Sequence, residues 1–237
     1  MPRLTRESLD SRNQILNSID DGQLDLLLDD LEPVDLPSGQ VIFNAGSRMD
    51  HVYFPHDSMH SVVALTAEGE SVESGIVGFE GVCSVTVFLN EKKSFNQHIV
   101  QMPGRGHRIN TAKALEVFHT GGAFQRELLK FVRSFMAQVT QTALCNRIHT
   151  AEQRLGKWLL SCHDRAIGDQ LEMTQEFVAV MLGSNRTSVN IAASALQRQG
   201  HIEYSRGRIT ILDRKSLKDV SCECHEKISR EYRFASK

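Results

Sequence analysis

The sequence runs to 237 residues with 41% apolar and 24% charged side chains, enough for one large or two ordinary packed domains and too apolar for a disordered chain. No stretch approaches the roughly 20 consecutive apolar residues of a membrane span, so no membrane partner is expected and a cytoplasmic location is. The net charge of -2 is uneven: residues 1–150 carry 13 Lys+Arg against 18 Asp+Glu, whereas residues 151–237 carry 14 against 11, which leaves the last third as the part able to meet a polyanion.

Along the chain, Leu9, Ile15, Leu16, Ile19, Leu24, Leu27, Leu28 and Leu31 predict short amphipathic helices, broken near residues 20–22. Residues 34–110 are rich in β-branched and aromatic side chains. Turn signals recur there at PSG (37–39), AGS (45–47), PHDS (55–58), AEGE (67–70), GFEG (78–81), LNEKKS (89–94) and MPGRG (102–106). Short strands at that spacing predict an antiparallel β domain, either a β-sandwich or a β-roll of jelly-roll-like type. Residues 123–148 contain neither proline nor glycine, which predicts a helix about 39 Å long at 1.5 Å per residue. It carries two apolar stripes: Phe124, Leu128, Phe131 and Phe135 on one track, and Leu129, Val132, Met136, Val139 and Ala143 on another. A helix that is apolar on two sides must be covered twice, so the second stripe is assigned to the same helix of a second copy and a homodimer through residues 123–149 is expected. NRIHT (146–150) reads as a hinge, and AEQRLGKWLLSCHDRA (151–166) as a further amphipathic helix.

The last third carries a DNA-reading pattern. Thr174 suits the N-cap of a helix through QEFVAVML, and Gly183 falls where such a helix ends in the left-handed conformation. Ser184 or Asn185 can then cap a second helix that lasts to Gly200. At 100° per residue its Val189, Ala192, Ala193 and Leu196 share a core side, while Thr187, Asn190, Ile191 and Ser194 lie opposite and Arg186 projects from the first turn. Those residue types suit a major groove: Arg186 for guanine O6 and N7, Asn190 for adenine, Thr187, Ser188 and Ile191 for hydroxyl or methyl contacts. HIEYSRGRITILD (201–213) then predicts strand, tight turn, strand, a wing whose Arg206 and Arg208 straddle the phosphate backbone of double-stranded DNA.

The five cysteines (Cys83, Cys145, Cys162, Cys222, Cys224) are odd in number and mostly scattered, unlike a disulfide framework. CECH (222–225) gathers two thiols and the imidazole of His225, chemistry suited to a soft metal or to oxidation. A tetrahedral site needs four ligands, however, and no second half with matching spacing follows; Cys162 and His163 are the groups that can approach in space. Ordinary thiols on a C-terminal helix are the expectation, and no metal ligand is assigned. His51, His56 and His60 in the β region are spaced by five and four residues around a proline, not two apart on a strand as in cupin metalloenzymes, so no enzyme is expected.

The segments MLGSNRTSVNIAASALQRQGHIEYSRGRITILD (181–213) and DLPSGQVIFNAGSRMDHVYFPHDSMHSVV (35–63), in this order, resemble the Crp/Fnr family of bacterial transcription regulators over nearly the full chain. The resemblance implies an α+β chain: a cyclic-nucleotide-binding-like β-roll over residues 1–122, a dimerisation helix and hinge over 123–149, and a winged helix-turn-helix over 150–237. It places Arg186 on the family's base-reading arginine and implies contact with RNA polymerase. The chain departs where many members have Glu and Arg, carrying Thr187 and Ile191 instead, which alters the preferred DNA sequence. Members that bind cyclic AMP hold its ribose with a Gly-Glu pair and its phosphate with an Arg-Ser/Thr-Ala run. Here Glu80 is the effector-binding candidate, but no arginine lies between Arg48 and Arg105, so cyclic AMP is not expected through those contacts. An iron–sulfur cluster held by N-terminal cysteines is not expected either, since none precedes Cys83. The alternatives are a DNA binder without an effector and a β-roll module whose winged helix binds protein.

Overall fold

A computed structural model describes Arg6, Leu9 and residues 11–232. The chain is α+β and divides into two units: residues 1–60 with 77–133, and residues 61–76 with 134–237.

In the first unit, helix α1 (Gln14–Ser18) begins at Asn13, whose side-chain oxygen accepts the N–H groups of Ile15 and Leu16. Asn13 is fully buried, and its amide also donates to Pro55 O (3.1 Å) and Gly81 O (2.8 Å), so one side chain satisfies a helix start and two loops. Asp20 caps α2 (Asp21–Leu28). Strand β1 (Glu32–Leu36) lies beside β7 (Gly104–Asn110), which also pairs antiparallel with β3 (His51–Pro55). Strand β2 (Val41–Phe43) pairs with β6 (Gln97–Met102). Their inward side chains Leu36, Val52, Phe54, Val100 and Ile109 are buried with Leu16, Leu24 and Leu27.

One segment within residues 34–110 differs from the strand-rich expectation, and a helix that the sequence reading did not assign follows that stretch. Val85–Leu89 forms a single 3₁₀ turn between Ser84 and Asn90, both in the left-handed conformation. Thr111–His119 forms a helix, α3, capped by Asn110. Helix α4 (Gly122–Ile148) starts at Gly121–Gly122, both at positive φ. Gln23 donates to Gly121 O (2.6 Å) and accepts Phe124 N–H (2.8 Å), and a Cβ on Gly122 would strike its amide. Phe124, Leu128 and Phe131 of the first stripe are buried, Phe131 lying so close to Gly81 that no side chain fits there; Phe135 is half-buried. The second stripe is uncovered: Leu129, Met136 and Ala143 are exposed, Val132 and Val139 half-exposed.

In the second unit, strands β4 (Met59–Leu65) and β5 (Ser71–Val77) are neighbours, most of their residues belonging here. Thr150 and Gln153 form a capping box that starts α5 (Ala151–His163). Strand β8 (Gln170–Glu172), α6 (Gln175–Met181), α7 (Arg186–Arg198), β9 (Ile202–Ser205) and β10 (Arg208–Ile211) follow, then α8 (Arg214–Val220) and α9 (Cys224–Tyr232). The sheet order is β8-β10-β9, all antiparallel. Leu155, Trp158, Leu159, Val178, Val189, Leu196, Ile202, Ile209 and Leu217 are buried around α5. A polar chain ties α5 to the C-terminal helices: Asp164 takes His225 Nε2 (2.9 Å) and Arg214 (2.5 Å), and Arg214 also meets His163 Nδ1 (2.8 Å). Burial opposes the Asp164 charge, but the bond to His225 and the charges of His225 and Arg214 hold its pKa below the usual carboxylate range.

Glu73 on β5 is buried and accepts Trp158 Nε1 (2.7 Å) and Ser61 Oγ (2.6 Å). Desolvation dominates these contacts and pushes its pKa from 4.5 up to about 7. The folded chain therefore holds a proton that the unfolded chain releases. This contribution is full below pH 4.5 and is lost as pH rises through about 7. At about 1.4 kcal/mol per unit it is on the order of 3 kcal/mol. Urea unfolding of Glu73→Gln beside the parent, across that interval, is expected to find the variant flatter with pH; parallel curves would remove Glu73 as the cause.

Candidate nucleic-acid interface

The geometry of the reading helix follows from its two ends. Thr174 Oγ1 accepts Phe177 N–H (3.2 Å) and starts α6, and Gly183 at φ 53° ends it. Asn185, rather than Ser184, caps α7, its Oδ1 accepting Ser188 N–H (2.8 Å). The remaining first-turn N–H groups have no helical partners, which suits a phosphate oxygen. Val189, Ala192, Ala193 and Leu196 are buried as their spacing requires. That burial turns Arg186, Thr187, Ile191 and Ser194 outward, Ile191 being 67% exposed. Ser188 and Asn190 are half-buried on the flank of this face, and Asn190 Oδ1 is enclosed with no hydrogen-bond partner among the described residues.

The wing is a two-residue hairpin. Ser205 pairs with Arg208, leaving Arg206 (φ 50°) and Gly207 (φ 76°) as the turn, both left-handed as a type I′ turn requires. Arg206 and Arg208 are exposed at its tip. Among the described residues no carboxylate pairs with Arg186, Arg198 or Arg206, whereas Arg208 lies 3.6 Å from Glu172 of β8, an exposed pair that a phosphate can replace. Gln197 of α7 accepts Tyr204 N–H (2.7 Å), and the Tyr204 hydroxyl donates to Met173 O (3.1 Å), fixing helix and wing to each other. Burial pushes the Tyr204 pKa up to about 12, the nearby charge of Arg186 opposing it, so the phenol stays neutral beside the reading face. Sequence reasoning missed Arg198, exposed in the last turn of α7, and strand β8, which completes the wing sheet. The first turn of α7 also borders a cleft of about 860 Å³ whose opposite wall is the β4–β5 hairpin, with Val72 against Gly183.

Of the other candidates, Glu80, His56 and His60 belong to the first unit. Glu80 is buried and its Oε1 accepts Gly78 N–H (3.1 Å), closing its own loop. His56 Nδ1 accepts Arg12 N–H (3.0 Å), and His60 Nε2 lies 3.2 Å from Ser58 Oγ. Burial, with the neighbouring His98, holds His60 down at about 3, so its imidazole is neutral. The CECH thiols are brought to Cys145 and His149, not to Cys162 and His163; His225 is on Asp164 instead.

Residues 153–220 match the sequence profile of the Crp-like helix-turn-helix domain. No curated protein matches the sequence significantly. Solved structures share the fold: FixK2 from Bradyrhizobium japonicum (TM-score 0.69, 14% identity, covering 81% of this chain and 98% of that one) and a Crp/Fnr-family regulator from Eubacterium rectale (0.68, 17%, 88% and 98%). A third is CLP of Xanthomonas campestris, described as a c-di-GMP-responsive global regulator (0.64, 14%, 82% and 100%). Residues 153–220 thus carry a Crp-like helix-turn-helix domain, and the chain as a whole shares the fold of solved Crp/Fnr regulators.

Proposed function

We propose that the protein binds a pseudo-palindromic DNA site as a homodimer, one α7 helix entering each of two major grooves about 34 Å apart. The observation that carries this is the outward face of Arg186, Thr187, Ile191 and Ser194, flanked by Ser188 and Asn190 and backed by the Arg206-Gly207-Arg208 turn. Arg186 reads a guanine, and the wing arginines with Arg198 hold phosphates. Three functional segments follow: a sensor part over 1–122, the dimer helix and hinge over 123–149, and the DNA-reading part over 150–237. The uncovered stripe of α4 supports the dimer.

Control by a signal is supported by the cleft in front of α7. The β4–β5 hairpin stands close to the first turn of the reading helix, so a change that moves the hairpin changes access to Arg186. Cyclic AMP held by the usual contacts does not fit that signal, because no arginine lies between Arg48 and Arg105 to meet its phosphate. Contact with RNA polymerase is part of the same reading and rests on the resemblance to Crp/Fnr regulators.

Titration of fluorescent DNA over a range of salt tests the wing. Arg206→Ala and Arg208→Ala are each expected to weaken binding to all sequences alike and to reduce the salt slope by about one phosphate contact. The smaller loss is expected for Arg208, which Glu172 already pairs. An unchanged slope in both variants would take the wing off the DNA.

A further inference from the structure

We infer that Cys145, His149, Cys222 and Cys224 form a tetrahedral zinc site at the C-terminal end of α4, a role that goes beyond DNA recognition. Their ligand atoms all lie within 4.8 Å of one another. Cys145 Sγ is 3.5 Å from Cys222 Sγ, and Cys224 Sγ is 3.5 Å from His149 Nδ1. Four donors at Zn–S about 2.3 Å and Zn–N about 2.0 Å, set tetrahedrally, stand roughly 3.5–3.8 Å apart. The observed separations need little adjustment to accept one ion. They leave no room for a cluster carrying its own sulfides.

The chain positions these donors from both sides. Cys145 and His149 are one helical turn apart at the end of α4, and Cys222 and Cys224 flank the start of α9, 77 residues beyond Cys145. The three thiols are buried and the imidazole is half-buried, so the set is closed, as structural zinc sites are. His149 presents Nδ1 to the thiols and Nε2 to Glu223 Oε2 at 3.3 Å, the carboxylate–histidine arrangement that fixes a ligating ring. Gln141 Nε2 donates to Cys224 Sγ at 3.1 Å, a bond suited to a thiolate. Zinc with three thiolates carries one net negative charge. Buried Lys157 supplies the compensating cation, its charge acting on Cys145. Ordinary buried cysteines explain an apolar contact but not four donors converging with an imidazole oriented from behind. Binding releases the thiol protons and joins the last turn of α4 to the α8–α9 connection, across the hinge that leads into α5.

Elemental analysis and native mass spectrometry of the full-length protein, purified under reducing conditions with zinc present, test this. One zinc per chain is expected. Cobalt(II) exchanged into the site is expected to give the thiolate charge-transfer and intense ligand-field bands of a tetrahedral sulfur site. Cys224→Ser and His149→Ala are expected to lose that spectrum, Cys83→Ser to keep it. Glu223→Gln, which retains all four ligands, is expected to weaken zinc roughly 10- to 100-fold in chelator competition. A metal-free parent with all five thiols titrating, a parent isolated with a Cys145–Cys222 disulfide, or tetrahedral cobalt bands surviving in both ligand variants would each overturn the assignment.

Discussion

Met136→Glu is expected to leave the protein monomeric in solution and to weaken operator binding roughly 10²–10⁴-fold, the loss that follows when two linked binding events become independent. Met136 is 64% exposed on α4. It sits at the middle of the series Leu129, Val132, Met136, Val139, Ala143, spaced 3-4-3-4, the seam of a two-stranded coil. Around a twofold axis each substituted carboxylate faces its own copy across an apolar contact, and both charges lose water without gaining a partner. Within one chain the same side chain meets mainly solvent, so the circular dichroism spectrum and thermal midpoint are expected to change little. Light scattering after gel filtration reads the mass directly. A variant that remains dimeric would place the interface on another surface.

Arg186→Ala is expected to cost about 1–3 kcal/mol per half-site, roughly 5- to 150-fold, and to relax discrimination at one base pair in each half. Arg186 stands in the first turn of α7, exposed and without a carboxylate partner among the described residues. Both guanidinium edges are therefore available to a guanine. Arg186→Lys keeps the charge and loses the fork, so it is expected to retain non-specific affinity while discriminating as poorly as alanine does. Binding to an operator and to its single-base variants separates these effects. If Arg186→Ala ranks those variants as the parent does, another side chain reads the base.

What was legible in the sequence was whatever local chemistry fixes. The ends of α6 and α7 follow from Thr174, Gly183 and Asn185, and the wing turn from Arg206-Gly207, since a cap or a left-handed turn is decided within four residues. The two stripes of α4 were visible because a 27-residue helix repeats its pattern many times. What stayed hidden depends on distant partners. Gln170–Glu172 is a strand only because β10 lies beside it. The β-branched Val85-Thr86-Val87 reads as strand, yet Ser84 and Asn90 bend it into a 3₁₀ turn. Helix α3 is short and sits directly after the last strand of its unit. Within the reading face, side-chain period alone placed Asn190 with Arg186, and packing against the domain half-buries it. The convergence of Cys145 and His149 on Cys222 and Cys224 was the least legible feature: CECH stood out as metal-suited chemistry, but Cys145 and His149 look like ordinary helix residues and the fold alone closes the 77-residue gap.

The most direct test is selection of the purified full-length protein against a library of random double-stranded DNA, followed by sequencing of what it retains. Two α7 helices about a twofold axis predict enrichment of an inverted repeat, with half-site centres one helical turn apart, about 10–10.5 base pairs. An Arg186→Ala selection run in parallel is predicted to lose preference at a single position of each half-site. Retained DNA with no sequence preference, or with a lone half-site and no repeat, would contradict recognition by a twofold pair of these helices.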